Sequence, residues 1–228
     1  MVTALWPSGP PRPSSYEPLA RWLTAELEPN VVLSAAPLDR AELVAAGVPA
    51  GRFAIDSVPG GAVTVVPADA GCGEVGTPVA RVASAAGPLS VCAPPPSAPD
   101  VLPAAAIGSK LAANPGVRLP EPARQLLQEQ RVDGRLAAAL AGAALVDRGG
   151  TANPVEVVDF PVVPGEPPTA LRRSAVLAGV IRAVDVNGRP AASALELYLN
   201  AQPPPVRPEL RPLPDGRVVV HFRLPIGG

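Results

Sequence analysis

Residues 16–53 constrain the fold more than any other stretch, because they read as a helix, a short buried strand and a second helix in immediate succession. Leu19, Trp22, Leu23 and Leu27 recur at helical spacing, and Pro29-Asn30 ends that run before the apolar Val31-Val32-Leu33. Asp39 stands where an N-cap is expected, ahead of Leu43, Val44 and Val48, with Gly47 and Pro49 closing the second helix. This order implies an α/β domain, a parallel or mixed sheet with flanking helices.

The same grammar extends through residues 16–93. Short strands are expected at Phe53-Ala54-Ile55, 62–66 and 89–92, with a small-residue helix at 79–86. Residues 1–15, with Pro7, Pro10, Pro11 and Pro13, read as a flexible leader, and the proline run of 94–103 as a linker. Residues 104–228 then form an α+β part. Helical patterns cover 104–113, 121–130, 134–146 and 191–200, and strands are expected at 155–160 and 174–183. A β-hairpin closes the chain, with strands at 206–213 and 217–224 around Pro214-Asp215-Gly216.

Alternation in the last strand puts Val218, Val220, Phe222 and Leu224 on a core face and Arg217, Val219, His221 and Arg223 on a solvent face. Pro208 and Pro212 cannot donate to a ladder, which assigns the partner strand to a sheet edge. Arg217, His221 and Arg223 thus form a candidate contact for an anionic surface. Charge supports that direction. From Leu171 onward eight arginines face four acids, whereas the preceding 170 residues carry eleven basic and sixteen acidic groups.

The net charge of −1 excludes a globally basic nucleic-acid binder, and no nucleic-acid partner is expected. A hydrophobic content of 47% excludes wholesale disorder, although 33 prolines require many loops and edges. The longest strongly apolar run, 136–146, is too short to span a bilayer and reads as a buried helix. No basic region followed by an apolar stretch marks the N-terminus, so the chain reads as one without its own export signal.

Candidate chemistry is sparse. Gly71, Gly73 and Gly76 spell Gly-x-Gly-x-x-Gly, the pattern that lets a backbone approach a pyrophosphate beneath a helix N-terminus. Yet Pro67-Ala68-Asp69-Ala70 separates the preceding strand from the first glycine, and no acid follows the next strand to hold a ribose. A flexible glycine-rich loop is the simpler reading. Gly108-Ser109-Lys110 lacks the upstream glycine of a phosphate cradle, which leaves Lys110 as a helix surface residue. His221 is the sole histidine and no Gly-x-Ser-x-Gly elbow occurs, so no catalytic residue, metal site or cofactor is assigned. Glu26 and Glu28 point to different sides of a helix end. Asp159, near a strand end on the face opposite Glu156, is the more interesting acid, with a turn or capping role expected.

Cys72 and Cys92 are the only cysteines. They are either two unrelated thiols or a disulfide closing a modest loop, worth about 3 kcal/mol if formed. Cytosolic chains seldom keep such pairs oxidised.

Several segments carry a resemblance: Ala20-Arg21-Trp22-Leu23 through Leu27, Val31-Val32-Leu33, and Ala41-Glu42-Leu43-Val44-Ala45-Ala46-Gly47-Val48-Pro49. Further along come Ala106-Ile107-Gly108-Ser109-Lys110-Leu111, Arg131-Val132-Asp133-Gly134-Arg135-Leu136, Val155-Glu156-Val157-Val158-Asp159-Phe160 and Ala201-Gln202-Pro203-Pro204-Pro205. Together they resemble the soluble part of actinobacterial polytopic membrane glycosyltransferases. The resemblance implies an extracytoplasmic domain beside a membrane-embedded catalytic part, in keeping with the cysteine pair. The membrane spans of that group and its catalytic loop have no counterpart here, so no catalytic residue carries over. The first expectation is therefore a noncatalytic extracytoplasmic accessory or binding domain, reaching the membrane through an envelope protein, a missing segment or an anionic surface. The alternative is a small cytoplasmic enzyme that binds a nucleotide or sugar nucleotide at Gly71, Gly73 and Gly76.

Overall fold

The computed structural model describes residues 15–54, 61–84, 87–94, 104–146, 154–178, 193–203 and 206–224. Two compact units divide the chain, Met1–Pro95 and Pro96–Gly228.

In the first unit, α1 (Glu17–Glu26) begins with a proline in its first turn, whose missing N–H costs nothing there. Leu19 and Leu23, one turn apart, and Leu27 just beyond the helix are fully buried. Each such side chain contributes about 1.5–3 kcal/mol by leaving water. The chain then enters β1 (Leu33–Ala35) and α2 (Pro37–Ala45). Ala36, not Asp39, is the N-cap of α2, because Pro37 is preorganised for the first helical position and pulls the helix start forward. Asp39 instead accepts a hydrogen bond from the Tyr16 hydroxyl at 2.6 Å, tying the start of α1 to the first turn of α2. Arg52 draws the α1–β1 connection together by donating to the carbonyls of Leu23, Glu28 and Val31 at 2.8–3.3 Å.

Strands β2 (Val63–Pro67), β3 (Thr77–Ser84) and β4 (Gly87–Ala93) complete a four-stranded sheet in the order β1-β2-β4-β3. β1 and β2 run parallel and the other pairs antiparallel, so the sheet is mixed. The expected helix at 79–86 is absent from its described part: those residues belong to β3, paired with β4 through Ser84↔Gly87. The alanines of this run favour a helix locally, but β-branched Val79 and Val82 suit a strand and pairing with β4 overrides the local preference, with Gly87 opening β4 at a φ of +118°. Of the expected strand Phe53-Ala54-Ile55, Phe53 makes a single parallel bridge to Leu33, and Ile55 lies outside the described residues.

The second unit holds α3 (Ala104–Ala112), β5 (Val117–Arg118), α4 (Glu121–Gln128), α5 (Gly134–Val146), β6 (Val155–Asp159), β7 (Ser174–Ala178), α6 (Ala194–Asn200), β8 (Glu209–Pro212) and β9 (Val218–His221). Its sheet runs β5-β6-β7-β9-β8, with β5 and β6 parallel and the remaining pairs antiparallel. The pair β8–β9 is the expected hairpin, and β8, preceded by Pro208 and ending at Pro212, lies at the sheet edge as its prolines require. At the turn Gly216 takes φ +84°, while Asp215 accepts from the Arg217 backbone N–H at 3.1 Å.

One core joins the helices to one sheet face. Leu136, Leu140 and Ala143 of α5 pack with Leu111 and Leu127 against Val157, Leu177, Val220 and Phe222, all essentially buried. Ser193 caps α6 in a reciprocal pair with Glu196, each side chain meeting the other's backbone N–H. Thus the α/β character of the whole chain is a property of two separate mixed sheets, each with its own helices and the second ending in a hairpin.

Candidate functional site

The richest collection of polar side chains lies at one end of the second sheet, where β7 starts, β9 ends and α5 begins. Ladder register puts Ser174 opposite His221 and His221 opposite Glu209, one row across β7, β9 and β8. The Ser174 Oγ and His221 Nδ1 are hydrogen-bonded at 2.7 Å. Arg223, two residues beyond His221, donates its Nε–H to Glu209 at 2.5 Å.

Behind this row stand two further arginine–carboxylate pairs. Asp133 accepts both the Arg135 backbone N–H at 2.8 Å and the Arg135 guanidinium, through Nε at 3.1 Å and Nη2 at 2.9 Å. A carboxylate at that position satisfies donors of the first turn of α5 and complements the positive end of its dipole. The same guanidinium lies 5.1 Å from the centre of the Phe222 ring and donates to the Arg223 carbonyl at 2.8 Å. Arg173 pairs with Glu166 and also donates to the Phe222 carbonyl at 2.7 Å. These contacts hold the strand end at Phe222–Arg223 from two sides.

Chemically, a serine beside a histidine invites a nucleophile reading, and the geometry tells against it. Ser174 is only 6% exposed, sits within a regular strand and faces Nδ1 rather than a strained elbow. The contact is a cross-strand hydrogen bond of the kind that stabilises a ladder.

The exposed cationic row expected on β9 is altered in two ways. Val219 is buried and His221 and Arg223 are half-buried; in the ladder Val219 stands between Val176 and Arg211, and His221 between Ser174 and Glu209. Each arginine also has a carboxylate: Arg217 meets Asp215 at 2.6 Å, and Arg223 meets Glu209. The Asp215 carboxyl is held below the usual carboxylate range by the Arg217 guanidinium, which is itself raised by the same bond. The sequence row was legible; its pairing depends on turn and register contacts that alternation does not report.

Gly71, Gly73 and Gly76 lie in the β2–β3 connection, with φ of +64°, +49° and +144°. After a single 3-10 turn at Gly73–Val75 the chain enters β3, so no α-helix N-terminus stands over the loop. A Cβ at Gly76 would fall 1.8 Å from the Ala93 carbonyl oxygen, whereas Gly71 and Gly73 have open space around them. Backbone conformation and one close approach therefore account for the pattern. Cys72, inside this loop, is joined to Cys92 of β4 by a disulfide with Cα atoms 5.6 Å apart. The pairing resolves the two alternatives left open by the cysteine count.

Elsewhere, Glu156 and Asp159 are exposed on β6, Lys110 is exposed on α3, and Glu26 and Glu28 stay near the end of α1. None joins the cluster. Sequence reasoning missed Ser174, Asp133–Arg135 and Glu166–Arg173. The Asp-Gly-Arg ahead of an apolar helix was a readable N-cap signal, whereas the Glu166–Arg173 pair depends on a loop path that no periodicity encodes. Among the described residues no group of three or more His, Cys, Asp or Glu side chains is arranged to hold a metal, and no helix is long and apolar enough to cross a membrane. No protein-family model matches the chain, and no curated protein or solved structure matches it.

Proposed function

We propose that this protein is a noncatalytic accessory or binding domain that works outside the cytoplasm beside a membrane-bound cell-envelope enzyme of the glycosyltransferase kind. The observation that carries the reading is the Cys72–Cys92 disulfide, since such bonds persist chiefly in oxidising compartments. The polar groups at the end of the second sheet are used structurally, which favours a noncatalytic role. Ser174, Asp133, Glu166 and Glu209 each engage a neighbouring side chain in holding the sheet end together. The resemblance of the apolar helix and strand segments to envelope glycosyltransferases supplies the partner: a membrane-embedded protein, with an anionic membrane surface as the second contact.

The test is compartment and redox state together. Intact cells producing the full-length protein are treated with a membrane-impermeant protease, and the cysteines are trapped by alkylation before lysis. Protease access with both cysteines protected from alkylation until reduction supports the proposal. Full protease resistance with two alkylated thiols overturns it.

A further inference from the structure

The carboxylates near the start of β7 are unequally shared among the arginines there. Asp133 serves Arg135 at 2.9 Å, Glu166 serves Arg173, and Glu129 lies 3.7 Å from Arg131. Arg172 has no carboxylate partner among the described residues.

Its position is fixed by the backbone. The Arg172 N–H donates to the Arg131 carbonyl at 2.8 Å and the Asp133 N–H donates to the Arg172 carbonyl at 2.9 Å, a short parallel bridge. The two side chains then converge on one acceptor: Arg131 and Arg172 each donate an Nη2–H to the Pro168 carbonyl oxygen, the latter at 3.1 Å. Two guanidinium groups sharing one neutral oxygen repel each other, and a carbonyl dipole offsets that only in part. Moreover, the Nε and Nη1 atoms of Arg172 are buried and without a hydrogen-bond partner in the protein. Unsatisfied donors on a charged group are costly, so an acceptor that meets them is favoured by more than an ordinary surface contact.

We propose that Arg131 and Arg172 form a binding site for a single oxyanion, a phosphate group carried by a soluble ligand or a lipid headgroup. The Arg131 side chain is 34% exposed, which leaves a solvent-facing approach. A phosphate placed between the two forks takes N–H donors from both arginines, removes their mutual repulsion and draws Arg172 toward solvent, where its unused donors find phosphate oxygens or water. Guanidinium forks match phosphate oxygens in pairs, which favours phosphate over halide at equal ionic strength. The site is independent of where the protein resides, and it is distinct from the Arg217–Asp215 and Arg223–Glu209 pairs, whose charges are already met.

The experiment follows arginine Nε–Hε signals by NMR on the full chain, titrated with inorganic phosphate and, separately, with phosphatidic acid in phosphatidylcholine vesicles. Chloride at matched ionic strength is the control. The Arg172 signal should move or broaden saturably with phosphate, with vesicles or with both, and not with chloride; response to vesicles alone identifies the headgroup as the source. Arg172→Gln and Arg131→Gln should each weaken binding by roughly tenfold or more, and Arg217→Gln should not. Should Arg172→Gln fail to fold, Arg131→Gln and the wild-type titration still decide. An Arg172 signal that ignores phosphate and vesicles, or that answers chloride equally, overturns the proposal.

Discussion

Glu166 and Arg173, seven residues apart, form an ion pair whose side chains are only 3% and 2% exposed. Two charges so far from water are tolerated because each compensates the other, and Arg173 spends a further donor on the Phe222 carbonyl. Glu166→Gln should therefore cost about 3–5 kcal/mol in urea unfolding, since it strands a buried guanidinium. The double change Glu166→Leu with Arg173→Met should cost much less than that single change. Equal losses would show that the pair itself, rather than the stranded charge, supplies the stability.

The disulfide closes a loop with a sequence separation of 20. Chain-entropy reasoning puts its contribution at about 3 kcal/mol. Cys72→Ala with Cys92→Ala should lower stability by that order, read from chemical denaturation with and without a reductant. Reductant should lower the wild type and leave the double variant unmoved.

Substitutions in the glycine loop should rank by backbone geometry. Gly76→Ala puts a methyl group against the Ala93 carbonyl oxygen at a φ of +144°, so it should destabilise by several kcal/mol or prevent folding. Gly71→Ala and Gly73→Ala meet open space and should cost only about 1 kcal/mol each, for the left-handed backbone. Thermal unfolding of the three variants checks the order. If Gly73→Val instead abolished a saturable stabilisation by NAD or a sugar nucleotide, the loop would be a ligand site.

Tyr16 gives an alkaline signature. Donation to Asp39, with burial adding to it, pushes the phenol up to about 12 from its ordinary 10.0. The folded state then keeps a proton that the unfolded chain gives up. This stabilisation is complete below pH 10 and is lost as pH rises from 10 to 12, by on the order of 2 kcal/mol. Denaturation midpoints between pH 9 and pH 12 should fall more steeply for wild type than for Tyr16→Phe.

Anionic-surface binding by β9 should be limited by its own carboxylates. Asp215→Asn with Glu209→Gln removes these two carboxylate charges beside Arg217 and Arg223 and should raise binding to anionic vesicles at low salt, fading as salt rises. Arg217→Glu with Arg223→Glu should reduce it below the wild-type level. Vesicle co-sedimentation that is the same for all three proteins would remove this face from consideration.

What could be read in advance depended on whether the signal was local. The helices α1, α4 and α5 follow from apolar spacing, and the β8–β9 hairpin from Asp215-Gly216 with alternation on both sides. β3 did not: its run of small residues has no strong period, and pairing with β4 decided its conformation. Asp39 was misplaced as a cap because Pro37 outranks it as a helix start, while its bond to Tyr16, 23 residues away, is invisible to local rules. The cluster around Phe222 is likewise assembled from residues spread between 133 and 223. Charge composition flagged that region as arginine-rich without saying which arginines were already matched.

Edge protection in the second sheet bears on how the protein behaves when crowded. One border, β8, ends at Pro212, and the other, β5, is only two residues long. Neither offers the long, regular row of backbone donors and acceptors that a second molecule needs to continue the ladder. At high concentration, or packed on a membrane, copies of this unit are thus poorly suited to seed one another into fibrils through that sheet.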